Sequence, residues 1–402
     1  MAGPRGRPAR VNARGGPDLP GRVGGVGYAG RVEEVRLAER LIAHDTSHPA
    51  GLAVAMDFVA GWLESRGTDL IRRDLGDREV LIARAGEGPV RVIFNGHLDV
   101  VPGYPAQFRP RISGDHLIGR GAYDMKAALG AMMIATSNLA ARSPVGVQVE
   151  LVIVPDEERT QAGPNATEML VGQGLRADVV VCGEPTDMQV GVQAKGVMIL
   201  DVVVEGRAAH GSTPWLGDNA IIRALEVYRR LESLPFTRAS TPMFARPSVN
   251  LGCIEGGDAV NKVPDRCRMQ VDVRYLPGQD PEEILHQARD VGAASVEVGI
   301  SRPPADTDPA HPLVSALVEC ASRHDASSAS VGRDGASDAV AFLQVGVPAV
   351  EFGPRGAGHH GPDEYVDIPS LLAYRRVLEE FAAAAGALAP TVARLRGDGA
   401  RA

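Results

Sequence analysis

The sequence predicts an α/β protein in which one sheet domain is interrupted by an inserted α+β sandwich. Three observations carry that expectation. From residue 32 onward, short apolar runs alternate with stretches of helical periodicity, the pattern of a sheet with parallel strands. Residues 192–298 read strand, helix, strand, strand, helix, strand, which is the ferredoxin-like order. The α/β alternation then resumes, so one interrupted domain explains the order better than two consecutive ones.

The elements follow in order. Val32, Val35, Leu37, Leu41 and Ile42 fit one helical face, and a second helix is expected over 52–65. Apolar strands are expected at 79–83 and 90–94. Met125, Leu129, Met132, Met133 and Leu139 recur at helical spacing over 124–142. Buried strands follow at 149–154 and 178–182. In the insert, strands are expected at 198–204, 248–254 and 296–300, with helices at 219–234 and 281–291. Cys267, Met269, Val271 and Val273 alternate with polar residues, as in a half-buried strand. Helix 312–323, strand 328–331, helix 337–344, strand 348–352 and a terminal helix from Ile368 complete the chain. The expected division is therefore 31–191 with 299–402 as one domain and 192–298 as the insert.

Residues 1–30 stand apart, with nine Gly, five Arg, four Pro and Asp18 as the only acid. They lack periodicity and the apolar centre of a signal peptide, so a disordered arm is expected. A transit peptide would be Ser-rich and amphipathic, which this arm is not.

Composition bounds the function. The 402 residues suit two or three domains at roughly 150 residues each. A net charge of −8 without a long basic run argues against nucleic acid or an anionic membrane as the main partner. No apolar run reaches the roughly 18 residues of a membrane span. The cysteines, at 182, 253, 267 and 320, form no CxxC pair. Free thiols in a reducing, cytoplasmic setting are the simplest expectation.

Five segments carry chemistry. Asn95-Gly-His97-Leu-Asp99 follows an apolar strand, and in extended backbone His97 and Asp99 face one side. A neutral imidazole ligates zinc and a carboxylate can fix its tautomer; a satisfied loop histidine is the plain alternative. Asp124, before a helix, suits either an N-cap or a carboxylate bridging two cations. Asp156-Glu157-Glu158 ends a buried strand, where ligands bind in open α/β sheets; a solvated acidic turn is the alternative. Glu184 follows another apolar run. His359 and His360 are adjacent in a Gly-rich loop, so they are expected to point apart and at most one to ligate. Together these supply five nitrogen and oxygen ligands and a spare carboxylate, an inventory for two zinc ions sharing a carboxylate and a water.

The motifs GHLDVVPG, GRGAYDMK, PDEE, GEPT, AHGS, NKVPD, DVRYLPG and HHGPDEY, in that order over residues 33–388, resemble the co-catalytic zinc amidohydrolase family. That family includes acetylornithine deacetylase, succinyl-diaminopimelate desuccinylase, aminoacylase and glutamate carboxypeptidases. The resemblance implies a zinc-peptidase-like α/β sandwich with an inserted lid and dimerisation domain. It implies that His97 and Glu184 hold one zinc, Glu158 and His360 the other, and that Asp124 bridges them. Asp99 would orient His97, and Glu157 would be the general base and acid. The family's last histidine stands four residues before the Glu of its terminal motif, which selects His360 over His359 because Glu364 lies at that distance. His210 would reach the site, often from a partner subunit, to stabilise the oxyanion. Asn261 and Arg274 would contact substrate, with Arg274 a carboxylate clamp; a solvated sheet residue is the plain alternative. Gly335-Ala-Ser-Asp338 resembles the substrate-side turn but lacks the Thr-rich form of the desuccinylases.

The implied enzyme hydrolyses the amide of an N-acyl amino acid or dipeptide-like compound as a homodimer, with two Zn2+ per subunit and Co2+ as a substitute. The alternatives are a dipeptidase or carboxypeptidase and a non-catalytic zinc-binding protein. Glu157 argues against the last, since a scaffold needs no base beside its ligands.

Overall fold

The computed structural model describes residues 32–158, 163–335 and 337–399. The arm expected over 1–30 lies outside the described residues, as does Ala336.

The larger unit is a nine-stranded mixed sheet covered on both faces. Its strands run in the order Asp69–Asp74, Glu79–Ala85, Val145–Val154, Glu87–His97, Val179–Cys182, Ala349–Glu351, Val190–Ala194 and Ala305–Asp306, with Ser330–Arg333 also pairing Val190–Ala194. Its central strand Val179–Cys182 is apolar throughout and fully buried, because both faces are covered. One face packs on helices Glu33–Ile42, Pro49–Ser65, Lys126–Arg142, Pro312–His324 and Ile368–Ala387 through Leu41, Met132, Leu317, Tyr374 and Phe381, among others. The other face packs on the short helices Ala166–Gly172 and Ala339–Leu343 through Leu170 and Phe342. Full burial of each such side chain contributes about 1.5–3 kcal/mol.

Parallel register sets where the chemistry falls. His97 pairs opposite Val154 and Asn95 opposite Cys182. Three strands therefore end side by side, delivering His97, the 155–158 acidic turn and Glu184 to one edge. A small sheet closes that edge. Strand Tyr365–Asp367 pairs with His116–Ile118, and Gly119 N donates to Glu364 O at 2.9 Å. It thereby holds the 119–125 and 358–364 loops together.

The second unit is a four-stranded antiparallel sheet in the order Ser248–Gly256, Arg266–Tyr275, Gly196–Glu205, Ser295–Arg302. Cys267, Met269, Val271 and Val273 point inward against Ala220, Ala224, Val227 and Leu231 of helix Ala220–Glu232, forming a separate core. Asn219 caps that helix by accepting the Ile221 and Ile222 amides.

Two differences from the sequence reading have physical reasons. Sheet membership changes between Val190–Ala194 and Gly196–Glu205, and again between Ser295–Arg302 and Ala305–Asp306, a few residues beyond the expected boundaries. Lys195 alone separates the first pair, so no turn residues mark the change. Strand Asp69–Asp74, DLIRRD, was not expected because it is an edge strand with polar residues on both sides of its apolar pair.

Candidate metal centre

Asp124 is the hub. Its carboxylate is buried, with Oδ1 3.1 Å from His97 Nε2, and Oδ2 2.5 Å from His359 Nε2 and 3.4 Å from His360 Nε2. His360 Nε2 lies 2.9 Å from Glu158 Oε1. His97, Asp124 and Glu184 each bring a ligand atom within 4.8 Å of one another, as do Asp124, His359 and His360, and His97, Glu157 and Glu158. Asp124 is not an N-cap: helix Lys126–Arg142 begins after Met125 with no side-chain cap. That removes the plain reading of this residue.

The two histidines do not point apart as expected. Gly358 has φ 76° and His360 φ 58°, and this left-handed turn brings both rings to the same carboxylate oxygen, 4.1 Å between centroids. Glu157 and Glu158 also bend from the extended geometry that would separate them. The Asp99 carboxylate accepts both of their amides, at 3.1 and 3.0 Å, and folds the pair into a turn. Asp99 meets His97 mainly through its backbone: His97 Nδ1 donates to Asp99 O at 3.0 Å, while Oδ1 is 3.5 Å away.

That contact tests whether the residues fit a metal. With Nδ1 as the donor, the neutral ring turns a lone pair on Nε2 toward an Asp124 oxygen. Two lone pairs 3.1 Å apart call for a proton or a cation between them. Zinc bonds of about 2.0–2.2 Å at a tetrahedral angle put ligand atoms roughly 3.3 Å apart. The His97–Asp124 and His360–Asp124 separations of 3.1 and 3.4 Å lie near that spacing, while His360–Glu158 at 2.9 Å and His359–Asp124 at 2.5 Å are shorter, at hydrogen-bond distance.

Charge agrees. Burial pushes the Glu157 carboxyl well above its usual range, against the pull of His97 and with help from Asp338, Glu158 and Asp124. Burial does the same to Glu184, reinforced by Glu157 and Asp124. Burial would also raise Asp124, but the imidazoles of His359, His360 and His97 hold it well below the ordinary range. Asp124 and Glu158 push His360 up to about 10. Carboxylates thus crowd an enclosed space that a cation would neutralise.

The remaining expected residues lie elsewhere. His210 is exposed, with Nδ1 2.7 Å from Ser212 Oγ, and pairs across a bridge with Lys262 beside Asn261. The structure brings His210 and Asn261 together, since Gly211 N donates to Asn261 O at 2.6 Å, but gives neither a contact with the Asp124 cluster. Arg274 is engaged by Asp272 through Nε and Nη2 at 2.8 and 3.0 Å. Asp338 is buried and turned inward, accepting from Asn95, Asn165 and Thr167.

Three side chains find partners that the sequence reading did not give. Glu364 and Arg120 form a buried pair at 2.6 Å. Lys126 is fully buried and donates to His44 O at 2.7 Å; burial pushes its ammonium down to about 7. Each lies inside a motif, but motif membership does not say which partner a side chain finds.

A cavity of about 460 Å³ opens beside His360, lined by Gly103, Tyr104, Gln107, Arg120 and Pro362. The larger cavity, about 730 Å³ around Glu87, Ser143 and Val145, sits where the strands begin, opposite the end that gathers the acids and histidines.

Residues 93–384 match Peptidase family M20/M25/M40. The chain is 31% identical over 388 residues to a succinyl-diaminopimelate desuccinylase of Rhodospirillum centenum, covering 88% of this chain and 98% of that protein. It is 28% identical over 349 residues to an acetylornithine deacetylase of Proteus mirabilis, covering 81% and 88%. Among solved structures it resembles an M20 family metallo-carboxypeptidase from Sulfolobus solfataricus, with TM-score 0.74 at 19% identity, covering 89% and 100%. Human carnosine dipeptidase 1 matches with TM-score 0.68 at 17% identity, covering 89% and 96%.

Proposed function

The chain belongs to peptidase family M20/M25/M40 and is a metal-dependent hydrolase of amide bonds, and we propose that its substrates are N-acyl amino acids, cleaved with two zinc ions per subunit. The observation that carries this reading is the gathering of His97, Glu184, His359 and His360 around Asp124, with Glu158 on His360 and Glu157 grouped with Glu158 and His97. His97 and Glu184 would hold one ion, Glu158 and His360 the other, and Asp124 would lie between. When bound, such ions polarise the scissile carbonyl and lower the pKa of water.

The chain's own groups do the rest. Glu157 takes a proton from the attacking water and returns it to the leaving amine; burial raises its proton affinity in the direction a base near neutrality needs. Asp99 fixes the turn that aims Glu157 and Glu158. His210 donates to the oxyanion, and Asn261 beside it and Arg274 hold the substrate, Arg274 by its carboxylate.

A homodimer would let His210 reach a site. The histidine touches none of the cluster, so it must arrive by closure of its unit or from a second subunit. The same unit exposes Trp215, Leu216, Ile222, Leu225 and Ile254. The four cysteines are free, which fits a cytoplasmic protein. No helix among the described residues is long and apolar enough to cross a membrane.

The test is a hydrolysis panel of N-succinyl-diaminopimelate, N-acetylornithine, simple N-acyl amino acids and dipeptides, each with added zinc or cobalt. Turnover of the acylated amino acids above the dipeptides is expected. Cleavage of dipeptides alone would make the protein a peptidase, and no turnover with two ions bound would leave a binding protein. Metal analysis should find about two ions. His360→Ala should lose one, and His359→Ala should keep both.

A further inference from the structure

We propose that Arg120 and Glu364 are positioning residues that hold the bridging Asp124 against His360, setting the site of the Glu158–His360 ion. The inference rests on the two-ion reading above. His97, Glu158 and Glu184 come from the ends of strands or the turns directly after them, and the sheet register places them. Asp124 and His360 come from two loops that are remote in sequence. Nothing in the main sheet fixes one loop against the other.

The small sheet brings the loops side by side, and the buried pair ties their ligand-bearing residues to each other. Glu364 Oε2 accepts from Arg120 Nη1 at 2.6 Å, with the two side chains 1% and 4% exposed. Glu364 Oε1 accepts the amides of Tyr123 and Asp124 at 3.0 and 3.1 Å, so the carboxylate of one loop grips the backbone that carries the hub. Arg120 answers from the other side: its Nη2 donates to His360 O at 3.0 Å. Each loop thus holds the other by the residue that bears its ligand. Gln107 adds a further tie, donating to Gly361 O at 2.9 Å and accepting the Tyr104 amide. The planar guanidinium serves the two acceptors with separate nitrogens, Nη1 for Glu364 and Nη2 for the His360 carbonyl, which fixes their relative direction as a single ammonium nitrogen would not. A buried ion pair is poor evidence for stability by itself. Its bonds to the Tyr123 and Asp124 amides and to the His360 carbonyl are what point to positioning.

The experiment is calorimetric zinc titration of the metal-free full chain, comparing wild type with Glu364→Gln and Arg120→Lys. Arg375→Lys is the control, because Arg375 bridges Glu34 and Glu379, each at 2.5 Å, in a largely buried group away from the centre. Wild type should bind two ions. Both test variants should bind the weaker ion 10–100-fold less tightly, the usual cost of losing a group that orients a ligand, while the tighter ion changes little. Excess zinc should then restore part of the turnover. Arg375→Lys should lower the melting temperature and leave both affinities intact. Two ions bound as in wild type by both test variants overturn the proposal, and so does the same selective loss in Arg375→Lys. If Glu364→Gln does not fold, Arg120→Lys decides alone. Uptake of a single ion by wild type overturns the two-ion reading and this inference with it.

Discussion

The proposed centre of the larger unit and the surface of the insert treat charge in opposite ways. In the larger unit, Asp99, Asp124, Arg120 and Glu364 have side chains no more than 7% exposed, at the edge where three strands end. In the inserted unit, the pairs Arg268–Asp201, Arg274–Asp272 and Arg223–Asp218 have side chains 27% to 55% exposed. The residue types are the same; the solvent is not. A carboxylate out of water must find a fixed partner, so it can hold a geometry. A carboxylate in water can exchange partners at little cost, so it can meet a mobile substrate. Under the proposed function, the larger unit would hold the ions and the insert would present groups that move.

The sharpest test of that contrast lies at the buried acids. Glu157→Gln keeps the shape but cannot take a proton, so turnover should fall by a factor on the order of 10²–10⁴ with both ions retained. Glu158→Gln should lose metal first and recover part of its activity in excess zinc. Metal stoichiometry measured beside turnover separates them. Metal loss in Glu157→Gln with retention in Glu158→Gln would reverse the two roles.

His210 tests the other side. His210→Ala should cut turnover by roughly 10²–10³-fold, the size of one lost oxyanion donor, without changing metal content. The exposed position of the residue makes the effect depend on assembly. Mixing His210→Ala with Glu157→Gln should therefore restore some activity if the histidine crosses between subunits. Full activity of His210→Ala as a monomer would remove it from the mechanism.

These contrasts show what was legible in the sequence. Apolar runs and the 2- and 3.6-residue periods place most strands and helices, and with the order of motifs they point to the residues that converge on Asp124. Pairing is less legible. Glu364 could be seen as a spacing marker for His360, but its grip on the Tyr123 and Asp124 amides arises only when a small sheet joins segments more than 240 residues apart. The Asp99 side chain is expected on His97 and lies 3.5 Å from its Nδ1, but its acceptance of the 157–158 amides is not legible, because the strand ends at His97 and extended spacing no longer applies. The rings of His359 and His360 meet because of a positive φ that residue type does not announce.

Arg274 is the next smaller effect. Its guanidinium already has a bidentate carboxylate partner in Asp272, so a substrate carboxylate must compete with it. Arg274→Ala should therefore raise KM about tenfold, the lower end of a charge-assisted bond's worth, and leave kcat nearly unchanged. Amidated substrates should lose the same factor on the wild type and nothing further on the variant. Equal cleavage of amidated and free acids by wild type would assign Arg274 to the sheet alone.

The smallest expected effect belongs to Asp201, a charge the insert keeps at its surface. Arg268 donates to its Oδ1 through Nη2 at 2.6 Å, and Gln270 adds a bond at 3.2 Å. The Arg268 hydrogen bond, outweighing the little desolvation there is, holds the Asp201 carboxyl below its ordinary range. A carboxyl whose folded pKa is depressed binds fewer protons folded than unfolded in the window between the two values. Its contribution is complete above the unfolded value of about 3.9 and is lost as pH falls through the folded value. Asp201→Asn should therefore melt slightly below wild type at neutral pH, and the gap should close on acidification below about pH 4. Thermal melts across that range read the difference directly; a gap that widens in acid would mean that the pair stabilises in some other way. Metal uptake and turnover at neutral pH should not change, because a solvated pair on the insert has no fixed geometry to pass to the centre. A loss of turnover in Asp201→Asn would break the contrast between the two sheets, since a charge in water would then be holding geometry as the buried ones do.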